Sequence, residues 1–193
     1  MSGADGVLVL PLLATQILWL NLITDSWPAL AMGIDPSTDD VMARKPRKLT
    51  ERVIDRAMWA GVFQIGLVVA VVSLLTMDLY LPGGLIEGTQ ELSNARTAGF
   101  TTLIFAHLFC SFTSRSETAS GFNHLFVNRW LWGAIALSLA LALQVAVVPV
   151  RVLNIAFGTV PLSLDQWAVC AAMGSMVLWC SELRKRVVRK LKT

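Results

Sequence analysis

Long uncharged apolar runs, separated by short charged segments, make up most of the chain. They are Val7–Thr24 continuing to Ile34, Ala57–Met77, Thr97–Ser114, Trp130–Val150 and the shorter Gln166–Ser181, which needs Leu162–Leu164 or Leu183 to reach spanning length. A helix crosses the hydrocarbon core of a bilayer with about 20 predominantly apolar residues. The pattern therefore predicts an all-α membrane protein: a bundle of about five transmembrane helices at about 7–34, 57–80, 96–114, 130–150 and 163–183. A loop at 35–56 and a basic tail at 184–193 complete the division.

The first run is interrupted by Asn21-Leu22-Ile23-Thr24-Asp25-Ser26-Trp27-Pro28. An ionised carboxylate within a span costs roughly 2.5–3.5 kcal/mol on insertion scales unless something compensates it. On α-helical spacing Asn21, Thr24 and Asp25 stand at i, i+3 and i+4 and share one face. Pro28 removes a backbone donor one turn further on and frees carbonyls near Ile23 and Thr24. The first helix is therefore expected to be broken near Asp25–Pro28. Oxygen side chains beside unpaired carbonyls at membrane depth are the ingredients of a site for a hard cation. Asn21, Thr24 and Asp25 are the candidate metal ligands.

Charge sets the topology. Of the sixteen Lys and Arg, Arg44, Lys45, Arg47, Lys48, Arg52 and Arg56 lie between the first two runs, and Arg115 and Arg129 between the third and fourth. Arg184, Lys185, Arg186, Arg189, Lys190 and Lys192 form the tail, leaving Arg96 and Arg151 on the other side. The positive-inside rule then places the amino end outside and the basic loops and carboxyl end in the cytosol, an arrangement that needs an odd number of spans. Trp59, Trp130 and Trp132 open spans on the inner side, Trp167 opens the last on the outer side, and Trp179 closes it. The net charge of +3 is thus a topology signal with lipid-headgroup contact, not a nucleic-acid surface. Met1–Gly6 lacks the basic start of a signal peptide. Cys110, Cys170 and Cys180 fall inside runs at unrelated spacings and read as packing residues.

The inner loop begins Asp35-Pro36-Ser37-Thr38-Asp39-Asp40 and carries a second proline at Pro46, which keeps both ends extended. It reads either as a solvated basic loop or as a contact surface for a cytosolic domain. The outer loops at Leu81–Ala95 and Arg151–Asp165 show turn signals at Pro82-Gly83-Gly84 and Gly158 but no chemistry. Within the runs, Gln16, Gln64 and Gln144 read as interhelical hydrogen-bonding residues. His107 reads as a ligand, a proton carrier or a packing residue.

The stretch Gln16-Ile17-Leu18-Trp19-Leu20-Asn21-Leu22-Ile23-Thr24-Asp25-Ser26-Trp27-Pro28-Ala29-Leu30-Ala31-Met32-Gly33 resembles the sixth transmembrane helix of calcium-pump-like P-type cation-transporting ATPases. That helix has a Trp-x-Asn-Leu-x-Thr-Asp core followed by a proline and a glycine. Asp40-Val41-Met42-Ala43-Arg44-Lys45-Pro46-Arg47 is similar to the Met-x-Arg-x-Pro-Arg loop that follows it. The resemblance covers essentially the whole chain, so the spans would be the sixth to tenth helices. It implies that Asn21, Thr24 and Asp25 hold calcium at mid-membrane. The position of a further ion-binding residue on the eighth helix falls on His107, and imidazole is a poor ligand for Ca²⁺. That departure favours one ion per cycle, or another ion such as Mn²⁺.

The family's phosphorylated Asp-Lys-Thr-Gly motif, nucleotide-binding domain and actuator domain have no counterpart here, nor do its fourth and fifth helices. ATP and Mg²⁺ would belong only to those domains, and this chain is expected to hold no cofactor of its own and to hydrolyse no ATP alone. The resemblance implies the cation-translocating portion of an ATP-driven pump, with the lipid bilayer and the remaining helices and cytosolic domains as partners. The other reading is a stand-alone structural or regulatory membrane protein derived from a pump, which transports nothing by itself.

Overall fold

The computed structural model describes residues 12–34, 56–84, 91–114, 132–133, 135–136 and 151–192. The fourth run, the inner loop and Gln144 lie largely or wholly outside the described residues. Among the described residues the order is α1 (Ala14–Leu20), a π-helical turn (Asn21–Asp25), α2 (Ser26–Gly33), α3 (Arg56–Tyr80), α4 (Leu92–Thr113), α5 (Arg151–Phe157) and α6 (Leu164–Lys192).

Local chemistry sets the ends of these helices. α3 stops where Pro82 and Gly83 follow: Leu81 N–H reaches the Asp78 carbonyl at 3.2 Å, and Gly83 turns the chain at φ +71. α5 ends at Gly158, whose φ of +56 is the left-handed stop typical of a helix terminus. α6 opens with a reciprocal cap. Gln166 N–H donates to Ser163 Oγ at 3.3 Å, and Ser163 N–H donates to Gln166 Oε1 at 2.9 Å.

α4 is the hub, packed against α3, α6 and the π turn. Small residues let the helices approach: a Cβ on Gly99 would sit 3.3 Å from Met77 Cβ of α3, and one on Gly174 of α6 only 2.7 Å from Phe105 Cβ of α4. Within a membrane such close packing, rather than water exclusion, holds helices together. Phe100, Ile104, Leu108 and Phe112 run along one stripe of α4 and meet Leu20 and Ala31 of the first helical segment.

The distribution of polarity is inverted relative to a soluble domain. Gln16, Thr76, Thr97 and Thr102 are fully buried, whereas Phe63, Leu67, Leu18 and Leu30 are each about two-thirds or more exposed. Large apolar surface left open around a polar interior is the arrangement expected when lipid is the solvent.

Among the described residues, one helix, Met58–Tyr80, is by itself long and apolar enough to cross a membrane. The others fall short for separate reasons. α4 carries Arg96, Thr97, Thr101, Thr102, His107 and Ser111, most of them turned into the bundle, so it presents little surface to lipid. In the last, helix continues beyond the apolar run through the basic residues to Lys192, so α6 is longer than its apolar part. The first is divided by the π turn, although α1, the turn and α2 together form about 20 residues of continuous helical chain, close to a bilayer's thickness. The expected break near Asp25–Pro28 takes the form of a widened helical turn just before the proline.

Candidate cation site

Leu20 is αR, and the Asn21 N–H reaches back to both the Ile17 and Leu18 carbonyls before the chain widens into the π turn. A π turn shifts the backbone bonds from i→i+4 to i→i+5, an arrangement rare in general and frequent at functional sites. Pro28 is buried and has no N–H, so neither the Ile23 carbonyl five residues back nor the Thr24 carbonyl four back receives a backbone donor from it. The turn and the proline together interrupt regular α-helical bonding on the segment that carries Asn21, Thr24 and Asp25.

Thr24 is 2% exposed, and its hydroxyl donates to the Leu20 carbonyl at 2.8 Å. With its proton placed there, the oxygen keeps lone pairs for another partner. Asn21 is exposed. The wider turn rotates position 24 away from position 21, so these two do not share the single face that α-helical spacing gives. The side chain of Asp25 lies outside the described residues; its backbone is the last position of the π turn. No group of three or more His, Cys, Asp or Glu gathers among the described residues.

His107 is half-buried on α4, with Nδ1 2.9 Å from the Leu103 carbonyl of its own helix. A carbonyl only accepts, so the neutral ring carries its proton on Nδ1 and keeps a lone pair on Nε2. The backbone carbonyl of His107 in turn accepts from Ser111 Oγ at 3.1 Å.

Two arrangements go beyond the reading of the sequence. Gln16, read as an interhelical residue, finds its partner in α5, a helix inside a stretch read as loop: Nε2 donates to the Phe157 carbonyl at 2.9 Å. Lys185, read as part of a basic tail in contact with lipid headgroups, is 1% exposed and donates to the Thr113 carbonyl at 2.8 Å, with Glu182 Oε1 at 3.8 Å. Thr113 is the last residue of α4, so a cation satisfies a carbonyl at the negative end of that helix. The i, i+3 spacing of Glu182 and Lys185 at the end of a span is the signal that could have marked this pair as inward-facing.

Residues 9–187 match the family described as cation transporting ATPase, C-terminus. The chain belongs to this family. It is 36% identical over 169 residues to a calcium-transporting ATPase of Bacillus subtilis, covering 88% of this chain and 18% of that protein. It is 33% identical over 190 residues to calcium-transporting ATPase 1 of Bacillus cereus, covering 91% and 21%. Similarity extends to calcium-transporting ATPase 1 of Schizosaccharomyces pombe, at 30% over 176 residues, 91% of this chain and 19% of that one. The chain thus spans about a fifth of the length of these relatives. Family membership makes it a membrane region of a P-type cation pump.

Proposed function

We propose that this chain carries the ion path of an ATP-driven calcium pump, with Asn21, Thr24 and Asp25 supplying side-chain oxygens to a Ca²⁺ ion at mid-membrane. The observation that supports it best is the π turn itself: it spans Asn21–Asp25 and holds all three oxygen-bearing residues. Hard cations take several oxygen ligands in flexible geometry, and a widened turn with spare carbonyls before a proline offers them. Mn²⁺ fits the same donor set. The names of the relatives favour Ca²⁺.

The chain alone supplies too few ligands for a calcium shell. The exposure of Asn21 fits a site completed by helices of the pump outside this chain, with phosphorylation and nucleotide binding supplied by its cytosolic domains. His107 stands outside the ligand set in this reading, its hydrogen bonds being made within α4. The membrane topology proposed with it is multi-pass, the amino end outside and the carboxyl end cytosolic. The spans are those read from the sequence, 7–34, 57–80, 96–114, 130–150 and 163–183.

The test is a chimera in which residues 9–187 replace the matching segment of the Bacillus subtilis relative. Calcium-dependent phosphorylation from ATP is expected in the chimera and lost in its Asp25→Asn variant. Unchanged calcium dependence in that variant would remove Asp25 from the site.

A further inference from the structure

Gln16 lies one turn before the π turn and is fully buried, with both polar ends of its side chain used. Its Oε1 accepts from Leu13 N–H at 3.0 Å, and its Nε2 donates to the Phe157 carbonyl at 2.9 Å. Phe157 is the last residue of α5, so this carbonyl is one that the helix itself leaves without a donor. Two further contacts converge on the same place. The Trp19 and Phe157 rings lie 5.0 Å apart. A Cβ on Gly158 would come within 2.7 Å of Leu13 Cδ1, so the turn that ends α5 sits directly against the residue that starts α1.

We propose that Gln16 is a positioning residue for the cation site: it fixes α1 to the end of α5, so that rearrangement of the ion-bearing helix is taken up in Asn21–Asp25. This inference rests on the reading that the π turn holds the ion. A helix free at both ends can shift or rotate as a rigid rod. One that is anchored just before a π turn has a fixed upstream register, and displacement of α2 must then change the turn. The hydrogen bonds and ring contact hold α1 against an element 141 residues away in the chain. The segment between Arg151 and Ser163 thereby becomes part of the apparatus that sets the geometry of the site, although it bears none of the proposed ligands.

The experiment uses the whole chain in lipid nanodiscs and follows amide hydrogen exchange. In Gln16→Leu, exchange at residues 21–25 is expected to accelerate about tenfold while α4 keeps its protection. Unchanged exchange at residues 21–25 would overturn the anchoring role. Gln16→Met keeps the unbranched length of the side chain while removing both hydrogen bonds, so it is the gentler variant should Gln16→Leu misfold; acceleration confined to the same residues is expected, and none would overturn the role.

A second readout separates positioning from simple stability. In the chimera, Gln16→Leu is expected to raise the calcium concentration for half-maximal phosphorylation about tenfold at an unchanged maximum. A lowered maximum with unchanged half-saturation would show a structural residue only. Calcium dependence surviving in Asp25→Asn would instead remove the ion site itself, while the exchange result would still decide whether Gln16 anchors the turn.

Discussion

The first helical segment and the α3–α4–α6 bundle are built on opposite principles. The bundle is tied by close backbone approach at Gly99 and Gly174 and by the Lys185 cap on α4. The first segment meets α4 through an apolar stripe of Leu20 and Ala31 and spends its regular hydrogen bonding on a π turn with a proline behind it. In the bundle, the close approaches at Gly99 and Gly174 close gaps, and Lys185 satisfies the carbonyl at the end of α4. In the first segment Gln16 is fully satisfied, and the irregularity is concentrated in the π turn and at Pro28, where regular backbone bonding is interrupted. On the proposed function the two are complementary, because an ion site that changes its affinity must move against something that does not.

Substitutions should therefore split into two kinds. The largest loss of stability is expected from Lys185→Met, which removes a buried cation from the Thr113 carbonyl and from beside Glu182 and should cost about 3 kcal/mol. Thermal unfolding in detergent measures it, and adding Glu182→Gln should recover part of the loss. Gly174→Val comes next at about 1–3 kcal/mol, because its side chain would drive α6 away from Phe105 and Ala106. For both, the calcium concentration for half-maximal phosphorylation in the chimera should stay near that of the parent.

Thr24→Val should behave in the opposite way. It keeps the side-chain shape and removes a hydroxyl whose proton serves only the Leu20 carbonyl, so stability should change by less than about 1 kcal/mol. Half-saturation by calcium should nevertheless rise about tenfold or more. If Thr24→Val instead melts the protein, or Gly174→Val shifts calcium half-saturation while sparing stability, the division between scaffold and site is wrong. The smallest effect is expected from Leu67→Ala on the exposed side of α3, which trades one lipid contact for another and should move neither readout.

The sequence was most legible where a residue conflicts with its surroundings. An acid between two apolar runs, followed by a proline, marks Asn21–Pro28 at once, and its motif points to the family that residues 9–187 match. The π turn was not legible, because counting at α-helical spacing presumes the very geometry that changes there. That presumption put Asn21 and Thr24 on one face, where the structure exposes the first and buries the second. Lys185 was misread for a related reason. A run of basic residues after a span reads as a tail in contact with lipid headgroups, yet the helix continues through it and turns Lys185 inward. α5 is seven residues long and opens with Arg151, too short for its periodicity to show. Gln16 could be recognised as a residue in need of a partner, but no local pattern reveals a carbonyl so distant in the chain.

Equilibrium binding of radioactive calcium to the chimera and to its Asp25→Asn variant, without ATP, bears most directly on the ion-binding role of the π turn. Saturable binding in the parent and its loss in the variant, with both proteins unfolding at the same temperature, is the expected result. Equal binding by the two would place the ion elsewhere and leave Asn21–Asp25 as a structural irregularity of the first helix.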